Sequence, residues 1–188
     1  MLCTGCTGFV GKVLVEKLLR CTPDIGRIYL LVRPKKELKN IQERVSREIL
    51  ESPIMDRLKK EMGKDNFYNF AKNKIYAVPG DVENPQLLTC PPDELEMLKR
   101  NVTVIIHSAA TIGFHEPLNH AIRLNTFGVQ NTLAFAKQCQ KIESLCHVST
   151  AYVNCNQSSG SFIEEKQFPL VLPKNEDVDV FCKRVAAL

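Results

Sequence analysis

At 188 residues, 44% apolar and 24% charged, with a net charge of +4, the chain has the make-up of one soluble globular domain with core enough to fold. No apolar run approaches the ~18 residues of a membrane span. No basic stripe is interleaved with aromatics, which argues against nucleic acid as a partner, and glycines interrupt the N-terminus too early for a signal-peptide layout.

In chain order, residues 1–4 read as a short first strand, followed by Thr4-Gly5-Cys6-Thr7-Gly8-Phe9-Val10-Gly11 and a helical pattern over residues 12–19. Strand, G-x-x-G-x-x-G turn and helix form the arrangement that brings a backbone close to a pyrophosphate and aims a helix N-terminus at it. Gly5, Gly8 and Gly11 divide the work among the tight turn, the approach of the phosphates and helix–strand packing. Residues 27–33 form an almost unbroken apolar run, as expected for a strand buried on both faces. A charged stretch follows in which Ile41, Val45, Ile49 and Leu50 keep helical spacing, with Arg44, Arg47 and Glu48 on the solvated side. Residues 54–62 extend it as a second amphipathic piece.

Strand three falls at 74–78 and ends at Pro79-Gly80-Asp81-Val82; Pro91-Pro92-Asp93 begins a helix through Arg100. Strand four is 102–107, followed by Ser108-Ala109-Ala110, and a helical region over 118–140 leads to strand five at 144–150. This alternation predicts a doubly wound parallel α/β sheet, a Rossmann fold of order 3-2-1-4-5, with the nucleotide-binding domain over residues 1–169. Residues 170–188 read as a tail, irregular or briefly helical.

Ligands of such a sheet sit beyond the carboxyl ends of its strands. Arg33 follows strand two, where an NAD-binding protein carries an acidic residue for the ribose 2′-hydroxyl. A guanidinium there suits a 2′-phosphate and favours NADP, with Lys35 and Lys36 adding charge. Asp81 is placed to accept from an adenine amino group. His107 could act as a base, but a packed histidine is the expected reading. Ser149 and Thr150 offer hydroxyls to a carbonyl at the end of strand five. Cys3 and Cys6 form a C-x-x-C inside the turn, with no second pair or histidines to complete a zinc site; the eight cysteines read as reduced thiols of an intracellular protein.

The glycine turn, Asp81-Val82, His107-x-Ala109-Ala110, Asn125-x-x-Gly128 and His147-Val148-Ser149-Thr150-Ala151-Tyr152 resemble the extended short-chain dehydrogenases. More narrowly, residues 11–20 and 28–35 are similar to fatty acyl-CoA reductases of the insect and animal type, the likeness covering residues 1 to about 169. The resemblance implies NADPH-dependent reduction of a long-chain fatty acyl-CoA to an alcohol through an aldehyde. It implies cofactor contacts from Thr4, Gly5, Thr7, Gly8, Phe9 and Gly11 at the turn, Arg33 at the 2′-phosphate, and Asp81 and Val82 at adenine. Ala109 and Ala110 would line the cofactor, Asn125 would brace the site, and Thr150, with Ser149 second, would bind the carbonyl oxygen. Family members are associated with peroxisomal or endoplasmic reticulum membranes, and a homo-oligomer is compatible with the pattern.

That chemistry also needs a tyrosine with a lysine four residues later to lower its pKa. Tyr29, Tyr76 and Tyr152 lack the lysine. Tyr68 and Lys72 have the spacing but precede strand three and read as surface helix residues. The final stretch 178–188 does not resemble the family, and both ends read as cut. This chain alone is therefore expected to be inactive. A non-catalytic NADP-binding module, or another extended dehydrogenase acting on a nucleotide sugar or steroid, are the alternative readings.

Overall fold

Strand β2 (Ile28–Val32) is buried along its whole length, and its alternation divides the core in two. Ile28, Leu30 and Val32 point into one layer with Val15, Leu19, Ile49, Met55 and Phe67; Tyr29 and Leu31 point into the other with Val78, Leu98, Ile105 and Phe135. Two cores on opposite faces of one sheet are what a doubly wound fold requires. The computed structural model describes residues 1–37, 40–113, 115–166, 168–169, 172 and 176–188.

The sheet is parallel throughout, ordered β3-β2-β1-β4-β5, with β1 Leu2–Thr4, β3 Ile75–Pro79, β4 Val104–His107 and β5 Ser144–His147. Helix α1 (Phe9–Cys21) buries Gly11, Val15, Glu16 and Leu19 at helical spacing. Buried Glu16 is satisfied by both arms of Arg20, at 2.7 and 3.2 Å. The β2–β3 connection holds α2 (Ile41–Val45) with a π-helical turn (Ser46–Leu50), a 3-10 turn (Pro53–Met55), α3 (Asp56–Met62) and α4 (Lys64–Lys74). On the other face, α5 (Pro92–Asn101) opens with proline and two acidic residues and closes with Lys99 and Arg100, the charge order its dipole favours. The β4–β5 crossover is α6 (Leu118–Ile122), a π-helical turn (Arg123–Phe127) and α7 (Gly128–Ala136).

Strand five stops at His147 rather than Thr150. Residues Ala151–Asn154 turn into a 3-10 helix, with Thr150 Oγ1 accepting from Tyr152 N at 3.2 Å. The ladder ends where its partner β4 ends: His147 pairs with His107, and Val148 N donates to His107 O at 2.9 Å. Lys74 belongs to α4, so strand three starts one residue late. Helix α8 (Val178–Ala186) packs on α6 through Cys182 and Val185, joined by Arg123 Nη1 donating to Ala186 O at 2.9 Å. Residues 170, 171 and 173–175 of the expected tail lie outside the described residues. Among the described residues, no helix is long and apolar enough to cross a membrane.

Candidate functional site

The carboxyl ends of β1, β2, β3 and β4 surround a cleft of about 210 Å³. Its floor is the glycine turn. Gly5 adopts φ +71°, and a Cβ there would stand 2.6 Å from the Ser108 backbone, so glycine is needed for both conformation and space. At Gly11 an added Cβ would lie 2.3 Å from Gly5 O and 2.6 Å from Cys6 Cα, which holds the first turn of α1 hard against the loop. At Gly8 the nearest atom is Gly5 O at 3.2 Å, and the residue is exposed on the cleft. The open side of Gly8 is where a phosphate can approach the backbone, at the N-terminus of α1.

Arg33 stands on the rim with its guanidinium 3.9 Å from Asp81 Oδ2. Both side chains are open to water, so the pair is worth little as a structural bond and leaves Arg33 available to an anion. Asp81 Oδ1 accepts from Glu83 N at 3.1 Å, an Asx turn that fixes the carboxylate at the mouth. Val82, Ser108, Ala109 and Ala110 complete the wall toward β4. Asn125 closes a two-way bond with Thr111, accepting from its N–H at 2.8 Å and donating to its carbonyl at 3.0 Å. It braces the loop after Ala110 and does not itself line the cleft.

Four expectations change. Thr4 is fully buried and does not line the cleft. Its Oγ1 accepts from the Ser108 and Ala109 amides, each at 3.2 Å, and lies 2.9 Å from His107 Nδ1, so it shapes the wall from behind. Phe9 projects 77% exposed from the start of α1 and is not a cleft residue. Ser149 and Thr150 are exposed beyond β5, outside the cleft, and Thr150 is engaged in its local cap. Arg44, expected on the solvated side, is only 6% exposed and lines the cleft. The helical period misplaced it because its cover comes from the turn and the Arg33 segment rather than from the sheet. Its partner Glu48 is pushed up by burial, but Lys35 and Arg44 outweigh that and hold the carboxyl below its usual range.

His107 is a packed residue, as expected. It is fully buried, lies 3.2 Å from Thr132 Oγ1 and stacks on His147 at 5.3 Å, with no partner for Nε2 among the described residues. Burial, and secondarily His147, lower its pKa to about 4, so the ring is neutral at working pH. The unfolded chain takes up this proton near pH 6.5, the folded chain only near 4. The stability contributed by the neutral ring is therefore complete above pH 6.5 and lost as pH falls through 4. Unfolding free energies from denaturant titrations between pH 7.5 and 4.5 are expected to fall in wild type by on the order of 2 kcal/mol more than in H107N, which keeps a polar atom near Nδ1 without titrating. Equal falls would show that the ring is not held neutral.

Tyr68 and Lys72 sit on α4, remote from the cleft mouth residues in the fold; Lys72 is exposed, while Tyr68 is half-buried against Phe67 with ring centroids 5.2 Å apart. Tyr68 is thus a packing residue rather than a surface one. Cys3 and Cys6 are both buried, and their mutual hydrogen bond, then burial, pushes the Cys6 thiol well above its ordinary range, which makes it a poor nucleophile.

The family described as "Male sterility protein", an NAD-binding family, matches residues 3–180, so the correspondence runs past residue 169 into the first residues of α8. Fatty acyl-CoA reductase 1 of Arabidopsis thaliana is 37% identical over 182 residues, covering 96% of this chain and 36% of the relative. Fatty acyl-CoA reductase 1 of Mus musculus is 40% identical over 169 residues, covering 90% and 30%. Among solved structures, the reductase domain of a non-ribosomal peptide synthetase from Mycobacterium tuberculosis superposes with a TM-score of 0.66 at 26% identity, over 88% of this chain and 36% of that one. The chain spans about a third of the length of the curated relatives it matches. With the glycine turn, the sheet order and the cleft all in agreement with these matches, the chain belongs to the NAD-binding male sterility family, that of the fatty acyl-CoA reductases.

Proposed function

We propose that this chain is the NADPH-binding part of an alcohol-forming fatty acyl-CoA reductase, which reduces a long-chain acyl-CoA to a fatty alcohol through the aldehyde. The observation that carries the coenzyme choice is Arg33, which stands free to bind an anion at the end of β2, opposite Asp81. Gly5, Gly8 and the N-terminus of α1 would receive the pyrophosphate, Arg33 the 2′-phosphate, and Asp81 with Val82 the adenine. The residues present fit such a group: basic at the rim, crowded at Gly11 and open at Gly8. The coenzyme, when bound, supplies hydride. The chain's own share is to hold it in register and to exclude water along the Ser108–Ala110 wall.

Among the described residues no tyrosine–lysine pair lines the cleft, which supports a second reading of this chain by itself as a coenzyme-binding module without turnover. Its free thiols fit an intracellular setting. Titrating the purified chain with NADPH and NADH, and assaying palmitoyl-CoA and stearoyl-CoA for alcohol by gas chromatography, tests both readings. Expected are a rise of several degrees in melting temperature with NADPH, a smaller one with NADH, and no alcohol. Alcohol at the rate of an intact reductase would overturn the module reading; equal response to both coenzymes would overturn the NADPH assignment.

A further inference from the structure

The Arg33 side chain has little to fix its direction: it is more than half exposed, and Asp81 lies at 3.9 Å. Its backbone is another matter. The Arg44 guanidinium donates through Nη1 to the Arg33 carbonyl, through Nη2 to Thr7 Oγ1 at 3.4 Å, and through Nε to Glu48 Oε1 at 3.2 Å. Glu48 is held in turn by Lys35 Nζ at 2.6 Å. One planar group thus joins the end of β2 to the glycine turn after β1, while a carboxylate supplies the counter-charge that lets it be buried. Lysine could answer Glu48, but its three donors share one nitrogen and do not reproduce the fork in which Nε, Nη1 and Nη2 each meet a different acceptor.

We propose that Arg44 is a positioning residue for coenzyme selectivity: by clamping the Arg33 carbonyl to Thr7, it sets where the Arg33 guanidinium stands relative to the pyrophosphate turn. This rests on the reading of Arg33 as the 2′-phosphate group and deepens it. Arg44 acts through Arg33 and need not touch the phosphate. A guanidinium serving only the fold would contribute stability without affecting discrimination between nucleotides.

The test is calorimetric titration of the full chain with 2′,5′-ADP and with 5′-AMP, the ratio of affinities reporting what the 2′-phosphate contributes. For wild type the ratio is expected to be on the order of 30 to 100. R44K should keep the melting temperature within a few degrees and reduce the ratio about tenfold. In an R33A background the same change should alter the ratio by less than about twofold, because the group it positions is gone. An unchanged ratio in R44K, or an equal fall in both backgrounds, would overturn the proposal; the second result would mean that Arg44 binds the phosphate directly. A wild-type ratio near one would instead overturn the NADPH reading. Should R44K not fold, T7V removes one end of the clamp while leaving the Arg44–Glu48 pair, and is expected to lower the ratio several-fold by the same route.

Discussion

Replacing Gly11 by alanine is expected to leave the chain unable to fold. The added carbon would stand 2.3 Å from Gly5 O and 2.6 Å from Cys6 Cα, and both are backbone atoms with no rotamer to move. Relief requires either withdrawing α1 from the sheet or breaking the turn, where Gly8 N donates to Gly5 O at 3.0 Å. Either route also loosens Val15 and Leu19, which are buried to within 1%. A cost above about 4 kcal/mol is expected, comparable with the whole stability of a marginal domain. G8A is the informative control, since its carbon meets only Gly5 O, at 3.2 Å. It should melt within a few degrees of wild type, yet bind NADPH more than about tenfold more weakly, because the methyl occupies the phosphate's approach. Circular dichroism melts and coenzyme fluorescence separate the two. A G11A chain melting at the wild-type temperature would refute the packing argument.

The second large effect is at Arg33. R33E places two carboxylates face to face where the guanidinium now stands 3.9 Å from Asp81. The 2′-phosphate would lose a charge-assisted partner and meet like charge, and NADPH affinity is expected to fall about 100-fold at low salt. NADH, which brings a hydroxyl to that position, should change less than about threefold. R33A should show a milder form of the same split. Parallel losses for both coenzymes would mean that Arg33 serves the loop and not the phosphate.

Much of this was legible in the chain. The continuous apolar run of β2 and the glycine turn report backbone burial directly, and the order 3-2-1-4-5 follows from the alternation of elements. Residues at strand ends were found because the fold exposes those ends: Arg33, Asp81 and Ala109 all reach the cleft. What could not be read was contact between loops. Arg44 lies on a helix whose period places it outward, and it is held in place by bonds to the Thr7 turn and the Arg33 carbonyl, in other loops. Thr150 was misplaced because the strand pattern runs on past His147, where pairing with β4 ends. Helix α4 was read only as a surface helix carrying Tyr68 and Lys72, without bounds, because Phe67 and Ala71 are its only fully buried positions among polar neighbours.

The hydroxyl of Thr4 gives the cleft two unlike halves. On the β4 side, one buried oxygen gathers the Ser108 and Ala109 amides, and Ser108 Oγ returns a bond to Thr4 O at 2.8 Å. That wall is already in its final shape, and a ligand meeting it surrenders little conformational freedom. On the β2–β3 side, the rim is a solvated ion pair whose guanidinium must be ordered at the moment of binding. The entropy of recognition is therefore concentrated at the adenosine end. On the reading of Arg33 as the 2′-phosphate group, single substitutions there would change coenzyme choice while leaving the Thr4-held wall as it is.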